Sequence, residues 1–528
     1  MLSGYNRIGN TESGEGSSTL EVFSTIGQKN LPEKFFIATR EEMEGAISKA
    51  EKAFAVYKDM PSAEKARFLD AIAEEILALG DELIERAMLE SGLPESRLRS
   101  ERGRTTGQLN LFAELLREGS WVEAVIDTGK PERKPLPQAD LRKMLVPLGP
   151  VAIFGASNFP FAFSTAGGDT ASALAAGNPV IVKAHESHLG TNELVASAII
   201  RAAEKTGMPD GVFSFLVGRG PITGLQLVKH PSIKAIGFTG SYTAGMAIYR
   251  AAVNDRKVPI PVFAEMSSIN PVLILPSKLE KESEALSSQL VASITLGAGQ
   301  FCTNPGLIFL ISDKFSDRFL KSLTQKMAES SPAVMLNESV CRNYYRTRQA
   351  TAHQKGVIKL WKGEDLQAEY KASSTLLQVD ARDFIVNPEL QSEIFGPASL
   401  VVKCGNEQEL TEALQSLHGQ LTATVIGESN EIKKFKNCLD ILASKVGRIV
   451  FNGVPTGVEV CYAMVHGGPF PATTDARSTS VGADAIKRFT RPICFQDCPP
   501  LLIPEALKNE NPLKIMRRVN GQFTQLPI

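Results

Sequence analysis

Residues 151–187 read VAIFGASNFPFAFSTAGGDTASALAAGNPVIVKAHES. The segment opens on VAIF and closes on PVIVK, two short unbroken apolar runs, with the helix-compatible STAGGDTASALAAG between them. Continuous apolar runs of this length mark strands buried on both faces, as in a parallel sheet covered by helices. Working outward, VFSFL (212–216) and IKAIGF (233–238) repeat the strand character, and helix-compatible connections separate them. Strand and helix alternating at this pitch, joined by right-handed crossovers, give an α/β, doubly wound, dinucleotide-type fold.

On the N-terminal side, residues 41–118 carry apolar residues at three- and four-residue steps and read as helices, with Ser62 as an N-cap. On the C-terminal side a second alternation follows, with strand candidates NPVLILP (270–276), GLIFLIS (306–312), SLVVKC (399–404), TATVIG (422–427) and RIVFNG (448–453). The expected division is a flexible arm at 1–30, a nucleotide-binding unit at 31–127 and 148–268, and a second α/β unit at 269–487. The Pro- and Lys-rich excursion 128–147 and residues 488–528 bridge them.

Bulk properties exclude several classes. With 528 residues, 43% hydrophobic and 22% charged, the chain is an ordinary globular protein of more than one domain. A formal net charge of −1 and no run of basic residues give no pull toward nucleic acid or anionic membrane. The N-terminus has neither the basic nor the apolar region of a secretory signal, and no stretch reaches the roughly 18 apolar residues of a membrane helix. Seven irregularly spaced cysteines, with no C-x-x-C pair, fit no zinc pattern and point to free thiols in a reducing compartment. A cytoplasmic protein without a metal is the expectation.

Six motifs carry chemistry, each with a structural alternative. In FTGSYTAG (238–245) a strand ends and Gly240, Ser241 and Gly245 open a helix, a cradle for phosphate or a plain tight turn. In VKAHES, Lys183 stands at a strand end where ligands collect, and Glu186 is placed for ribose hydroxyls or for a surface ion pair. Asn158, in ASNFPFAF, offers an amide to an oxyanion or forms an Asx turn. Glu265 lies in an apolar segment, where burial raises a carboxyl toward the range of a general base, or where an ion pair holds it. Cys302, in GAGQFCTNPG (297–306), has small neighbours that admit a substrate; its alternative is a buried thiol. Glu393 and Phe395 sit between two proline-marked turns in NPELQSEIFGP (387–397); the alternative for Glu393 is a solvated loop carboxylate.

Taken in order along the chain, SNFP, VK..E, FTGS, a lone Glu, GQFC and EIFGP resemble the aldehyde dehydrogenase superfamily over about residues 40–500. Within it, residues 155–191 and 448–486 are similar to the α-ketoglutarate semialdehyde (2,5-dioxovalerate) dehydrogenases of sugar-acid or hydroxyproline breakdown. They are also similar to bacterial NADP-linked fatty aldehyde dehydrogenases. Ser157 replaces the usual aromatic residue before the Asn. Glu265-Met266-Ser267-Ser268 replaces Glu-Leu-Gly-Gly, and VHGGPFPATTDARSTSVG replaces the usual late motif.

The resemblance implies two Rossmann-type domains plus an oligomerisation arm, and NAD(P)-dependent oxidation of an aldehyde to its acid. Cys302 is then the nucleophile, Asn158 with the Cys302 N–H the oxyanion site, and Glu265 the base that hydrolyses the thioester. Lys183 and Glu186 bind the adenosine ribose, Gly240 and Ser241 a phosphate, and Glu393 with Phe395 the nicotinamide ribose. Glu186 tilts the cofactor toward NAD. His466 is a second base, a substrate contact or a packed structural histidine. For a keto-acid aldehyde, Arg477 is the first candidate for a carboxylate anchor and Arg104 the second. A homodimer or homotetramer is expected. The competing readings are a long- or medium-chain fatty aldehyde dehydrogenase, acyl transfer to coenzyme A, and a catalytically silent scaffold.

Overall fold

A computed structural model describes residues 2–528. Its first sheet has seven strands, in the order Val262–Glu265, Ala235–Thr239, Val151–Phe154, Val180–Lys183, Phe213–Leu216, Asn6–Ile8 and Thr11–Ser13. The first five are mutually parallel. Every residue of Val151–Phe154, Val180–Lys183 and Phe213–Leu216 is buried, because helices cover both faces. The order reverses at Val151–Phe154, which lies between Ala235–Thr239 and Val180–Lys183. That reversal opens a crevice at the carboxyl ends of the strands.

The chain's start departs from the sequence reading. The flexible arm expected over 1–30 is not seen in the described part, 2–30: Asn6–Ile8 is wholly buried and pairs antiparallel with Phe213–Leu216. The backbone N–H groups of Ser3 and Gly4 donate to the Glu193 carboxylate at 2.8 and 2.9 Å. A three-residue strand is too short to show alternation, yet it protects a sheet edge.

Four helices, Arg40–Tyr57, Ser62–Ala78, Gly80–Ser91 and Glu95–Glu118, form the expected helical region. Thr39 and Glu42 cap the first reciprocally. Ser62 is the first helical residue of the second and caps nothing; Pro61 precedes it with an extended backbone.

The second sheet also has seven strands: Ile358–Lys362, Thr375–Asp380, Ala398–Cys404, Leu307–Ile311, Pro271–Ile274, Thr422–Ile426 and Arg448–Phe451. Only the first pairing is antiparallel. A third sheet joins Thr490–Gln496, Leu141–Pro147, Val125–Asp127, Arg517–Val519 and Gln522–Thr524, so the C-terminal tail closes on the excursion after the fourth helix. Arg517, fully buried, is wrapped by carbonyls of the tail, including those of Asn509 and Leu526 at 3.3 Å. Among the described residues no helix is long and apolar enough to cross a membrane.

Candidate active site

Helix Pro276–Thr295 ends in three consecutive left-handed residues, Gly297, Ala298 and Gly299, with φ of 54°, 56° and 65°. A Cβ on Gly299 would stand 2.3 Å from the backbone of Gly396, so only glycine fits there. The turn drops Cys302 into the space between the two large sheets. Asn270, itself at φ 46°, pins the loop by donating from Nδ2 to the carbonyls of Cys302 (2.8 Å) and Asn304 (2.9 Å).

Cys302 Sγ lies 3.5 Å from His466 Nε2, and the same nitrogen lies 2.9 Å from Glu265 Oε1. Ser480 Oγ donates to Glu265 Oε2 at 2.6 Å. Glu265 reaches this point as the last residue of an edge strand of the first sheet. His466 and Ser480 are held in register because the Ser480 N–H donates to the His466 carbonyl at 2.8 Å. The His466 N–H in turn donates to Thr479 Oγ1 at 2.8 Å.

The electrostatics differ from the sequence expectation. Burial by itself raises the Glu265 carboxyl, but the His466 ring and the Ser480 hydroxyl outweigh it and hold it below the usual carboxylate value. Glu265 is therefore ionised at rest. The Cys302 thiol moves the other way: burial first, then the Glu265 charge, push it well above its ordinary value, with Arg104 opposing. Sulfur at rest is a thiol beside the Glu265 carboxylate, its proton acceptor, and His466 Nε2–H donates to that carboxylate.

Asn158, buried, donates from Nδ2 to the Gln300 carbonyl at 3.1 Å, which keeps one amide hydrogen for a ligand. Among the described residues the Cys302 N–H has no protein acceptor. The loop is fastened from behind by helix Glu95–Glu118. Arg97 donates to the Asn158 carbonyl at 2.7 Å, and Glu101 Oε1 accepts from the N–H groups of Phe161 and Ala162.

Arg104, one turn further along that helix, faces the thiol. Its guanidinium lies over the Phe163 ring at 5.2 Å, and both terminal nitrogens are buried without a partner. Burial lowers its pKa, while Glu101 and then Cys302 and Glu265 pull it back up. Arg477, the sequence's first choice of anchor, is excluded by its position. Its side chain is 91% exposed and turned onto Asp475, whose carboxylate accepts from both its backbone N–H and its Nε at 3.0 Å. The two residues form a tight polar turn at the surface.

Of the cofactor candidates, Lys183, Glu186, Gly240 and Ser241 lie at the carboxyl edge of the first sheet, and Glu393 and Phe395 come from the loop before Ala398–Cys404 of the second. Lys183 is buried with its Nζ 3.4 Å from Glu186 Oε1, which also accepts from the Gly220 N–H at 3.2 Å. Ser241 caps helix Tyr242–Asn254, and residues 240–244 are exposed, so the helix N-terminus faces open space as a pyrophosphate requires. Glu393 and Phe395 line a narrow cleft with Ser268, Gly299 and Phe301. These residues suit a dinucleotide: a ribose acceptor at each end and an unobstructed helix start between.

Burial raises the Glu393 carboxyl to about 7, against hydrogen bonds from Ser267 and the Ser268 N–H. A ribose hydroxyl needs the ionised form as its acceptor. Cofactor KM is expected to fall as pH rises through about 7, and Glu393→Gln should flatten that dependence. An unchanged slope in the variant would remove Glu393 from the ribose site.

The ligand atoms of Glu265, Cys302 and His466 lie within 4.8 Å of one another, close enough to share a soft divalent ion. That grouping was not legible in the spacing of the sequence. Nor were Ser480, Asn270 or Arg97. Of these, only Arg97 left a signal, since Arg97, Glu101 and Arg104 form a charged stripe at helical spacing.

Comparison with known proteins agrees with this geometry. A sequence profile of the aldehyde dehydrogenase family matches residues 12–490. The alpha-ketoglutaric semialdehyde dehydrogenase 2 of Azospirillum brasilense is 50% identical over 523 residues, covering 99% of each chain. An alpha-ketoglutaric semialdehyde dehydrogenase of Acinetobacter baylyi is 47% identical over 508 residues, 96% of each. A 1-pyrroline-5-carboxylate dehydrogenase from Thermus, solved with bound NAD, shares the fold at a TM-score of 0.78 and 22% identity, covering 93% of this chain and 92% of its own. With Glu265, His466 and the Asn158 loop gathered around one thiol, and a family profile spanning residues 12–490, the chain belongs to the aldehyde dehydrogenase family.

Proposed function

We propose that the enzyme oxidises α-ketoglutarate semialdehyde to 2-oxoglutarate, with Arg104 receiving the substrate carboxylate. The unpartnered Arg104 guanidinium beside Cys302 carries this reading. A buried guanidinium whose two terminal nitrogens lack a hydrogen-bond partner is costly, and a carboxylate held by both offsets that cost. A long acyl chain in the same place would leave the charge unpaired, which disfavours the fatty aldehyde reading. The two relatives named for this substrate support the same choice.

Cys302 sulfur forms a bond to the aldehyde carbon, and its proton passes to the His466–Glu265 pair. The oxygen becomes an oxyanion held by the Asn158 amide and the Cys302 N–H. When bound, the oxidised nicotinamide supplies the hydride acceptor that leaves a thioester on Cys302. After that first proton has left for solvent, the Glu265 carboxylate takes a proton from water as the water oxygen bonds to the carbonyl carbon, and returns it to sulfur as the C–S bond breaks. The acid leaves and the thiol is restored. Ser480 fixes the Glu265 carboxylate, and His466 keeps it next to the sulfur. A retained hydrolytic base argues against acyl transfer to coenzyme A, and the intact set argues against a silent scaffold.

Glu186 supports NAD over NADP, since its carboxylate would face a 2′-phosphate and already balances Lys183. The free outer edge of Thr490–Gln496, beside exposed Leu501 and Leu502, supports a homodimer or homotetramer. Seven free cysteines fit a reducing cytoplasm. The test is steady-state turnover with the semialdehyde and with a medium-chain aliphatic aldehyde, each with NAD and with NADP. A kcat/KM at least about tenfold higher for the keto acid, about 1.4 kcal/mol, is expected. A preference for the aliphatic aldehyde would overturn the assignment.

A further inference from the structure

We propose that a second, cationic cavity on the far edge of the second sheet binds a small multiply charged anion. The cavity, about 420 Å³, lies between helix Glu338–Ala352 and strands Ile358–Lys362 and Thr375–Asp380. That volume is in the range of small-molecule sites. None of its lining residues belongs to the catalytic or cofactor crevice.

Six basic side chains line it: Arg342, Arg346, Arg348, His353, Lys359 and Lys362. One carboxylate, Asp365, lines it with them. Arg342 is paired with Glu338 and Arg346 with the Asn343 amide. Among the described residues no carboxylate pairs with Arg348, Lys359 or Lys362. Arg348 is buried and the other five are exposed, so one desolvated guanidinium stands at the base of a concave surface ringed by solvent-facing basic groups.

Arg348 makes this a built site. It is 3% exposed, and its Nε and Nη1 are buried without a hydrogen-bond partner. Tyr345 and Tyr344 fix its plane, with their ring centroids 4.4 and 5.5 Å from Cζ. A guanidinium held on aromatic faces, with two buried donors unsatisfied, matches the oxygens of a phosphate or a carboxylate. Lys359 and Lys362, on the edge strand, supply exposed point charges at the mouth. Cations so numerous exceed what one carboxylate needs, so a phosphorylated metabolite or a polycarboxylate is the fitting class.

The experiment is calorimetric titration of the full-length enzyme at low ionic strength, saturated with NAD so that the cofactor crevice is closed to the probe. The probes are inorganic pyrophosphate and citrate. At least one should bind at a single site with a Kd below about 1 mM. Lys359→Glu with Lys362→Glu, both exposed, should weaken it at least tenfold while leaving aldehyde turnover without anion within twofold. Arg348→Met should abolish binding; should it fail to fold, the exposed pair decides the matter. Tighter pyrophosphate would assign a phosphorylated ligand, and tighter citrate a polycarboxylate. No binding of either by wild-type enzyme, or binding indifferent to the two lysines, would overturn the proposal.

Discussion

Glu265→Gln is expected to produce a burst of about one equivalent of reduced cofactor, followed by turnover roughly 10²–10⁴ times slower than wild type. Gln keeps the volume and can still accept from Ser480, so the loop around His466 should stay in place. It cannot take a proton from water. The thioester should therefore form and then wait. His466→Gln makes the complementary prediction. His466 stands 3.5 Å from sulfur, so its loss should slow the burst itself. Stopped-flow absorbance separates the two. If Glu265→Gln loses the burst as well, Glu265 is the acceptor of the thiol proton and His466 only positions it.

The pH profile gives the sign. Because Glu265 is held below the ordinary carboxylate value, the hydrolytic step should persist as pH falls past the point where a free carboxylate is half protonated. Activity lost on the acid side above that point should then trace to cofactor binding through Glu393, whose carboxyl is raised to about 7.

Arg104→Ala is the second large effect. Removing a charge-assisted bidentate contact costs about 2–3 kcal/mol, which is roughly a 30- to 150-fold loss of kcat/KM for α-ketoglutarate semialdehyde. Pentanal has no carboxylate and should show only the smaller, substrate-independent loss that comes from removing the Arg104 charge beside the Cys302 thiol, at least about tenfold less than the keto acid's loss. Arg477→Ala should leave both substrates alone, since its side chain is 91% exposed and occupied by Asp475. Equal losses with both aldehydes in Arg104→Ala would mean that the residue supports the Phe163 wall and not the substrate.

The contrast between the two arginines shows where sequence reading works. The sheets were legible because Val151–Phe154 and Val180–Lys183 are buried on both faces and must be apolar throughout. Cys302, Glu265 and Asn158 were legible because their order along the chain carries the resemblance. By resemblance, the TTDARSTS segment borders the substrate channel, which ranks Arg477 ahead of Arg104 on sequence alone. What decides the matter is direction. Arg477 lies in a turn where Asp475, two residues earlier, captures it, whereas Arg104 lies on the buried face of a helix.

The raised carboxyl expected of Glu265 failed for a related reason. Burial was readable from the apolar segment around it, but its two donors, His466 and Ser480, arrive from about 200 residues away. The buried strand Asn6–Ile8 was hidden by composition, since three residues among glycines and serines show no period.

The third sheet sets an order of events during synthesis. Thr128 is held by Asn520, 392 residues later, and Val125–Asp127 pairs with Arg517–Val519. At about 5–20 residues per second, the outer side of that strand stays open for roughly 20–80 s after it leaves the ribosome. Both doubly wound sheets have all their strands before then, so they can close first, and the final forty residues act as a latch. A nascent chain stalled short of Arg517 would carry complete catalytic machinery beside an unsealed strand edge, which makes that intermediate the natural client of a chaperone.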